Sequence, residues 1–209
     1  MRLYILIVLF ITTFGLTGQD KGSSPFVEVV NGELVLDGER YCFIGSNYWQ
    51  GMNLGAPESG DRDRLLSELD QLQKLGVKNL RVLAASEADQ KMKYAIHPAL
   101  QNGPGEYDED LWKGLDFLLA EMKKRGMTAT MVLGNFWTWS GGFPQYLKWS
   151  GAGDIPFPQE EGTSWQQFTD YSKTFYTNEK AQKMMDDHIR KVVNRINHVT
   201  GEAYKEDPT

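Results

Sequence analysis

The sequence predicts an α/β protein with a parallel sheet and, within that class, a (β/α)8 TIM barrel. Strand-like and helix-like segments alternate from Tyr41 onward, a pattern typical of parallel strands joined by helices. Single glycines, Gly76 and Gly126, connect helix to strand, whereas the connections from strand to helix are long. Functional residues are therefore expected at the carboxyl ends of the strands, as in a barrel or a doubly wound sheet. The first long connection, SNYWQGMN, lacks a glycine-rich phosphate turn, and this favours the barrel.

Residues 1–19 predict a cleaved signal peptide. Arg2 precedes the short apolar run LYILIVLFI, and small and polar residues follow. The run is far shorter than the ~20 residues that a membrane-spanning helix needs, so export is expected without a stable membrane anchor.

The segment after the signal predicts a small antiparallel hairpin element. The pairs Asn31-Gly32 and Asp37-Gly38 are hairpin turn sequences flanked by β-forming residues. Residues 41–45 then predict a buried strand, in which Cys42 is expected to be a buried small hydrophobe.

The main elements follow from helical periodicity, capping residues and apolar runs. Leucines repeat on one face after Asp61, a second amphipathic pattern follows Asp108, and Asn178 is expected to cap a long helix. The expected helices are 61–75, 108–125, 165–176 and one from 179, and the expected strands are 77–84 and 127–134.

Composition excludes several classes of partner. The 209 residues carry a net charge of −6 with no basic cluster, so nucleic acid and anionic lipid are poor partners. One cysteine allows no disulfide framework, and the three histidines lack metal-ligand spacing, so no metal and no cofactor are predicted. The sequence predicts nothing about the oligomeric state.

Polar and aromatic residues follow the first and third predicted strands. Aromatic rings suit the apolar faces of pyranose sugars, and amides hydrogen-bond hydroxyl groups. In an exported, anionic protein, this pattern predicts a cleft for a neutral polysaccharide. The candidate binding residues are Asn47, Tyr48 and Trp49 in the first loop, and Asn135, Trp137 and Trp139 in the third.

Arg81 is the most informative charged residue because it lies within the apolar run NLRVL. A buried, unpaired charge costs several kcal/mol, so a carboxylate partner is expected. The residues alone leave two interpretations open, namely a structural ion pair or an arginine that orients a catalytic carboxylate. Glu87 and Asp89, just past the second strand, are expected to be solvated loop acids.

Four stretches together carry a family resemblance that spans most of residues 41–209. They are FIGSNYWQGMN, LDQLQKLGVKNLRVLAASE, YDEDLWKGLDFLLAEMKKRGMTATMVLGNFWTWSGGFPQYLKW and NEKAQKMMDDHIRKVVNRINHVTGEAYKEDPT. The chain resembles glycoside hydrolase family 5, and within it the secreted endo-β-1,4-mannanases. The resemblance implies a (β/α)8 barrel that hydrolyses internal β-1,4-mannosidic bonds of mannan with retention. It also implies that Arg81 supports the nucleophile, and that Asn135, Trp137 and the Trp49 region line the glycone side.

The chain also departs from that family. The family's acid/base glutamate belongs to an Asn-Glu-Pro motif after strand four, and its nucleophile follows strand seven. The sequence contains no Asn-Glu-Pro and stops where strand four would begin, so both glutamates are expected to be absent from it. Residues 20–209 are therefore expected to be the amino-terminal part of the catalytic domain. This part comprises about three β/α units and the hairpin, is truncated before strand four and is inactive alone. The alternatives are a non-catalytic carbohydrate-binding fragment, a decayed pseudo-enzyme, and a sister activity such as a β-glucanase.

Overall fold

The computed structural model describes residues 25–89 and 92–209. They belong to two compact units, one that ends at Tyr41 and one that runs from Cys42 to Thr209. The expected signal peptide, residues 1–19, lies outside the described residues.

The first unit is a three-stranded antiparallel sheet. Its strands, in order, are β1 (Glu28–Val30), β2 (Glu33–Leu36) and β3 (Glu39–Arg40). Both connecting turns have positive φ at their two central residues, which are Asn31-Gly32 and Asp37-Gly38. Such turns match the twist of paired strands and favour these residue pairs. The predicted hairpin element is confirmed, with a third short strand added.

The second unit alternates strands and helices. Its strands are β4 (Ile44–Asn47), β5 (Val77–Leu83), β6 (Gln101–Gly103), β7 (Glu106–Tyr107) and β8 (Thr128–Val132). Its helices are α1 (Gly51–Gly55), α2 (Arg62–Lys74), α3 (Glu109–Lys124), α4 (Phe143–Ser150), α5 (Trp165–Lys173) and α6 (Glu179–Val193).

Side-chain caps start the helices where the sequence predicts them. The side chains of Asp61, Asp108 and Asn178 accept hydrogen bonds from backbone N–H groups in the first turns of α2, α3 and α6. Ser164 caps α5 in the same way. Because capping satisfies donors that the helix itself cannot, these starts are encoded locally. The short helices α1 and α4 and the β6–β7 hairpin, all within expected loops, were not predicted.

The central sheet has three parallel strands in the order β4-β5-β8. Leu80 and Val82 of β5 belong to the buried core together with leucines of α2 and α3. Asn79 and Arg81, which alternate with Leu80 and Val82 along the strand, carry polar side chains. Asn79 Nδ2 donates to Thr128 Oγ1 at 2.9 Å, and Thr130 Oγ1 donates to Asn79 Oδ1 at 3.1 Å. One sheet face therefore packs on helices, and the other is polar.

Two expectations about burial are wrong. All four residues of β4 are exposed, and so is Cys42. Among the described residues β4 pairs only with β5, so it is an edge strand rather than a buried one.

The parallel sheet does not close into a barrel within the described residues. The backbone N–H of Ala129 donates to the carbonyl oxygen of Thr209 at 2.6 Å. Thr209 therefore lies beside β8.

Candidate functional site

Three loops follow the carboxyl ends of the parallel strands β4, β5 and β8. The backbone joins the second and third of them directly. Ile96 N–H donates to the carbonyl oxygen of Trp139 at 2.8 Å, and Glu87 N–H donates to that of Ser140 at 3.1 Å. Because the three strands are parallel, the loops after them lie at one edge of the sheet. These hydrogen bonds pack the second loop against the third.

Trp49 and Trp139 meet at this edge. Their ring centroids are 5.6 Å apart at an interplanar angle of 62°, an edge-to-face contact between the first and third loops. Together with Tyr94, Ala95 and Ile96 of the second loop they line a cavity of about 330 Å³. Trp49 keeps 44% of its surface exposed, so this is an open aromatic site.

A second aromatic cluster surrounds Trp137. Its ring stacks on Phe136 at 5.2 Å and contacts Trp165 edge-to-face at 6.2 Å. Trp165 in turn packs edge-to-face on the fully buried Phe168. Trp137 and Trp165 are each about half exposed. The cluster therefore exposes two tryptophan rings that are each packed on a phenylalanine.

Asn135 organises the turn that carries these tryptophans. Its Oδ1 accepts a hydrogen bond from the backbone N–H of Trp137 at 3.1 Å and another from Ser140 Oγ at 2.8 Å. Its backbone carbonyl accepts from Phe143 N–H at 2.8 Å. Asn135 thus shapes the loop, and in the described part of the chain no hydrogen bond engages its side-chain nitrogen.

Close packing of the backbone requires glycine at positions 141 and 142 of this turn. A Cβ atom on Gly141 would lie 2.1 Å from the carbonyl oxygen of Glu87, and one on Gly142 would lie 1.7 Å from that of Asn135. Both glycines also have positive φ, 80° and 76°. No other residue fits either position without moving the backbone.

Glu87 is buried, which corrects the expectation of a solvated loop acid. It is 1% exposed, and its Oε2 accepts a hydrogen bond from Gly142 N–H at 2.8 Å. Asp89, by contrast, is a partly exposed acid paired with Lys148 at 3.0 Å. Glu87 therefore connects the second loop to the glycine turn of the third.

The Tyr146 hydroxyl lies between Glu87 and Gln101. It donates to Glu87 Oε1 at 3.0 Å, and Gln101 Oε1 lies 3.1 Å from it. Burial raises the pKa of Glu87 to about 7, against the opposing hydrogen bonds from Gly142 and Tyr146.

Arg81 lies on the polar face of the sheet, in register with Asn47 on β4 and Thr130 on β8. Arg81 and Asn47 are exposed. Among the described residues no carboxylate lies within 4 Å of the Arg81 guanidinium, so the expected partner is not found there. The reason is that Arg81 is solvated, and its charge needs no buried partner.

Two further residues have structural positions. Tyr48 is buried in the core, and its hydroxyl donates to Glu68 at 2.6 Å, so in this structure it supports the first loop from behind. His188 is fully buried, with Nε2 at 3.1 Å from the carbonyl oxygen of Ala84. Burial lowers its pKa to about 4. His188 is therefore a buried residue of α6.

Sequence reasoning missed Tyr94 and the burial of Glu87, and it did not assign Trp165 a role. Tyr94 lies in a segment without helical or strand periodicity, so only its aromatic ring within a long strand-to-helix loop could have marked it. The sequence signal that could have marked Trp165 is the capping residue Ser164, which places Trp165 at the first position of a helix next to the third loop.

Within residues 25–89 and 92–209, no three His, Cys, Asp or Glu side chains are grouped so that they could hold a metal ion. No helix in the same part of the chain has both the length and the apolar character to cross a membrane.

Residues 24–209 match the family described as GH family 5 beta-mannosidase-like. Among solved structures, the chain is similar to a glycoside hydrolase family 5 mannosidase from Rhizomucor miehei, with 43% identity and a TM-score of 0.84. The match covers 88% of this chain and 46% of that one. A mutant of that mannosidase was solved in complex with mannosyl-fructose and is 44% identical, with a TM-score of 0.83 and the same two coverages.

Among curated proteins, the chain is 31% identical to mannan endo-1,4-beta-mannosidase 1 of Solanum lycopersicum, over 90% of this chain and 43% of that protein. An endo-1,4-beta-mannanase from Rhizomucor miehei shares the fold at 21% identity and a TM-score of 0.62, over 88% of this chain and 46% of that one. The chain spans less than half the length of each of these relatives.

Proposed function

Because the chain belongs to glycoside hydrolase family 5, in its β-mannosidase-like group, we propose that it forms part of an enzyme that hydrolyses β-mannosidic bonds of mannan. One structural observation carries the proposal. Tryptophans from loops after two parallel strands, Trp49 and Trp139, meet in an open aromatic cavity at the carboxyl edge of the sheet. Flat apolar rings suit the faces of pyranose sugars.

The fold we propose is a (β/α)8 barrel in which β4, β5 and β8 are the first three strands. Their parallel order and the helices packed on one sheet face support this arrangement. A closed barrel would place the opposite, polar face with Asn79 and Arg81 in its interior. The exposed β4 edge would be paired in such a barrel, which explains why a strand sequence is exposed here.

We assign sugar binding to Trp49, Trp137 and Trp139, with hydrogen bonds from Asn47 and the Asn135 amide nitrogen. Tyr48 is buried, so we assign it the role of positioning Trp49 and not of contacting sugar. Among the described residues Trp165 adds a ring beside Trp137 that the sequence did not assign.

Arg81 is proposed to hold the nucleophilic carboxylate ionised and oriented. A guanidinium offers a planar fork of donors that matches a carboxylate, and a lysine at the same place does not. Retaining hydrolysis uses two carboxylates roughly 5–5.5 Å apart. No residue of this chain is assigned to either role, and no Asn-Glu-Pro occurs in its 209 residues. The residues assigned here bind the sugar and orient the chemistry.

The position of cleavage has two candidates. Internal cleavage of β-1,4 bonds is the first, after the name of the Solanum lycopersicum relative. Release of a terminal mannose is the second, because the Rhizomucor miehei protein at 43% identity is titled a mannosidase without the word endo. A series of mannooligosaccharides labelled at the reducing end separates the two. Internal cleavage gives labelled products of several lengths at once, whereas terminal cleavage shortens the labelled oligosaccharide by one mannose unit at a time.

The test of the function uses protein expressed from the complete coding sequence. Release of reducing ends from linear mannan, with little from cellulose, is expected, and Arg81→Lys should lower kcat about 100-fold because it loses the two-pronged contact. Equal turnover of cellulose would favour the sister activity. Binding of mannan without turnover would favour the carbohydrate-binding alternative. Residues 20–209 by themselves are predicted to be inactive.

Export is part of the proposal and rests on the sequence of residues 1–19. Detection of the mature protein in the culture medium or periplasm, with a new amino terminus near residue 20, tests it.

A further inference from the structure

A second cavity of about 330 Å³ adjoins the aromatic one. Tyr94 lines both cavities, so they are neighbours across a single ring. The rest of the second lining comes from the second loop, from α4 and from the 151–164 segment of the third loop. The volume lies at the lower limit of the roughly 300–1,000 Å³ typical of small-molecule sites, which suits one compact ligand.

Gln145, on α4, is the unusual member of this lining. Its side chain is fully buried, and among the described residues neither Oε1 nor Nε2 has a hydrogen-bond partner. Buried amides are nearly always paired, because an unpaired one loses its hydration without compensation. Gln145 lines the cavity, and its buried amide has one acceptor and two donors that lack a partner among the described residues.

The other walls indicate the chemistry of the missing partner. The rings of Tyr94 and Phe157 lie 5.3 Å apart at 52°, which gives the cavity an aromatic corner. Two lysines and three acids line the cavity, so its charges nearly balance. Lys148 lies 3.0 Å from Asp89 and 3.9 Å from Asp154. The other two residues add one charge of each sign and are Lys93 and Glu160. Aromatic walls, a bare amide and compensated charges suit a neutral ligand with adjacent hydroxyl groups better than an ion.

We propose that this second cavity binds one neutral sugar unit, with the Gln145 amide paired to neighbouring hydroxyls of a pyranose. The choice of a sugar rests on the proposed function, whereas the unpaired amide and the cavity do not. Because Tyr94 lines both cavities, the unit bound here would be adjacent to sugar held between Trp49 and Trp139. A hexose branch, or the next unit of the main chain, fits that position.

Methionine methyl resonances provide the test, because Met92 lines the second cavity. Protein from the complete coding sequence, labelled with ¹³C-methyl methionine, is titrated with methyl β-D-mannopyranoside and with methyl α-D-galactopyranoside. The Met92 resonance, assigned through Met92→Leu, is expected to shift saturably with at least one of them. The resonances of Met52 and Met122, buried in the core, should stay unmoved.

Gln145→Met keeps the length of the side chain and removes both amide atoms, so it is expected to fold and to weaken the Met92 response about tenfold. Ile155→Phe, which adds bulk to the cavity wall, is the second variant if Gln145→Met does not fold. Trp139→Ala alters the aromatic cavity and should leave the saturable Met92 response.

Three results would overturn the proposal. They are no Met92 shift with either glycoside, an unchanged response in Gln145→Met, and a crystal structure at saturating sugar in which ordered water alone occupies the cavity. The assay of mannan hydrolysis is separate, so an inactive protein with a Gln145-dependent Met92 shift would reject the proposed function and retain this site.

Discussion

The carboxyl oxygen Oε2 of Glu87 lies 2.8 Å from the backbone nitrogen of Gly142 and accepts its hydrogen bond. This contact joins the loop after β5 to the turn that carries Trp137 and Trp139. Gly142 is in turn packed so closely on Asn135 that no side chain fits there. The geometry of the tryptophan loop therefore depends on a buried acid 55 residues away in sequence.

Glu87→Gln should change how stability depends on pH. The pKa of Glu87 is raised from 4.5 to about 7 in the folded protein. Between these values the unfolded chain releases a proton that the folded chain keeps, so stability falls as pH rises from 4.5 to 7, by on the order of 3 kcal/mol. The neutral amide introduced by the substitution would mimic the protonated acid. Urea unfolding from pH 4.5 to 8 should therefore show a flatter profile for the variant, with a gain in stability above pH 7. Identical profiles would show that Glu87 does not titrate in this range.

Gly142→Ala should destabilise the tryptophan loop by about 3 kcal/mol or more, because the new Cβ would meet the Asn135 carbonyl oxygen and the backbone has positive φ. Gly151→Ala is the matched control. Gly151 also has positive φ, 93°, but its Cβ would meet nothing within 4 Å, so about 1 kcal/mol is expected. Equal losses in thermal unfolding would contradict the close packing at Gly142.

Trp139→Ala should weaken binding of mannooligosaccharides about tenfold, since it removes one ring of the pair that lines the aromatic cavity. Leu75→Ala, at an exposed apolar residue after α2, is the control and should leave the affinity unchanged. Calorimetric titration measures both. If the two variants bind equally well, Trp139 is not part of the cleft.

Asp116→Asn should cost about 3–5 kcal/mol of stability. The buried Asp116 carboxylate accepts hydrogen bonds from Arg195, His198 and Tyr204, and so holds the chain after α6 against α3. Burial works to raise the pKa of Asp116, but these hydrogen bonds outweigh it and hold the pKa below its usual value. The stabilisation should therefore be present near neutral pH and be lost as pH falls through that lowered pKa.

The matched control is Asp170→Asn, at a surface acid that pairs with Lys173 within α5. Such exposed pairs contribute little, so a change below about 1 kcal/mol is expected. Equal losses for the two variants in denaturant unfolding would rule out Asp116 as the anchor of this segment.

What the sequence could predict was encoded locally. Asp61, Asp108 and Asn178 cap helices by bonding their own first turns, and Asn31-Gly32 is a residue pair that itself favours a turn with positive φ. The aromatic loop residues were found because tryptophans after a strand have no simple core role.

The remaining features depend on contacts distant in sequence. Glu87 was misjudged because its partners, Gly142 and Tyr146, lie 55 and 59 residues further on. The burial of β4 was misjudged because burial depends on what pairs with a strand edge, which an apolar run cannot show. Nothing in the sequence marked Gln145, because its notable feature is a buried amide without a hydrogen-bond partner among the described residues, and this depends on tertiary packing.

The central proposal is that these loops form part of a cleft in which a longer enzyme hydrolyses β-mannosidic bonds with retention. It is tested most directly by ¹H NMR of the anomeric protons while protein from the complete coding sequence acts on mannopentaose. The β-anomer of the new reducing end should appear first, and the α-anomer should follow by mutarotation. First appearance of the α-anomer would contradict the retaining mechanism, and an unchanged spectrum would contradict mannosidic hydrolysis itself.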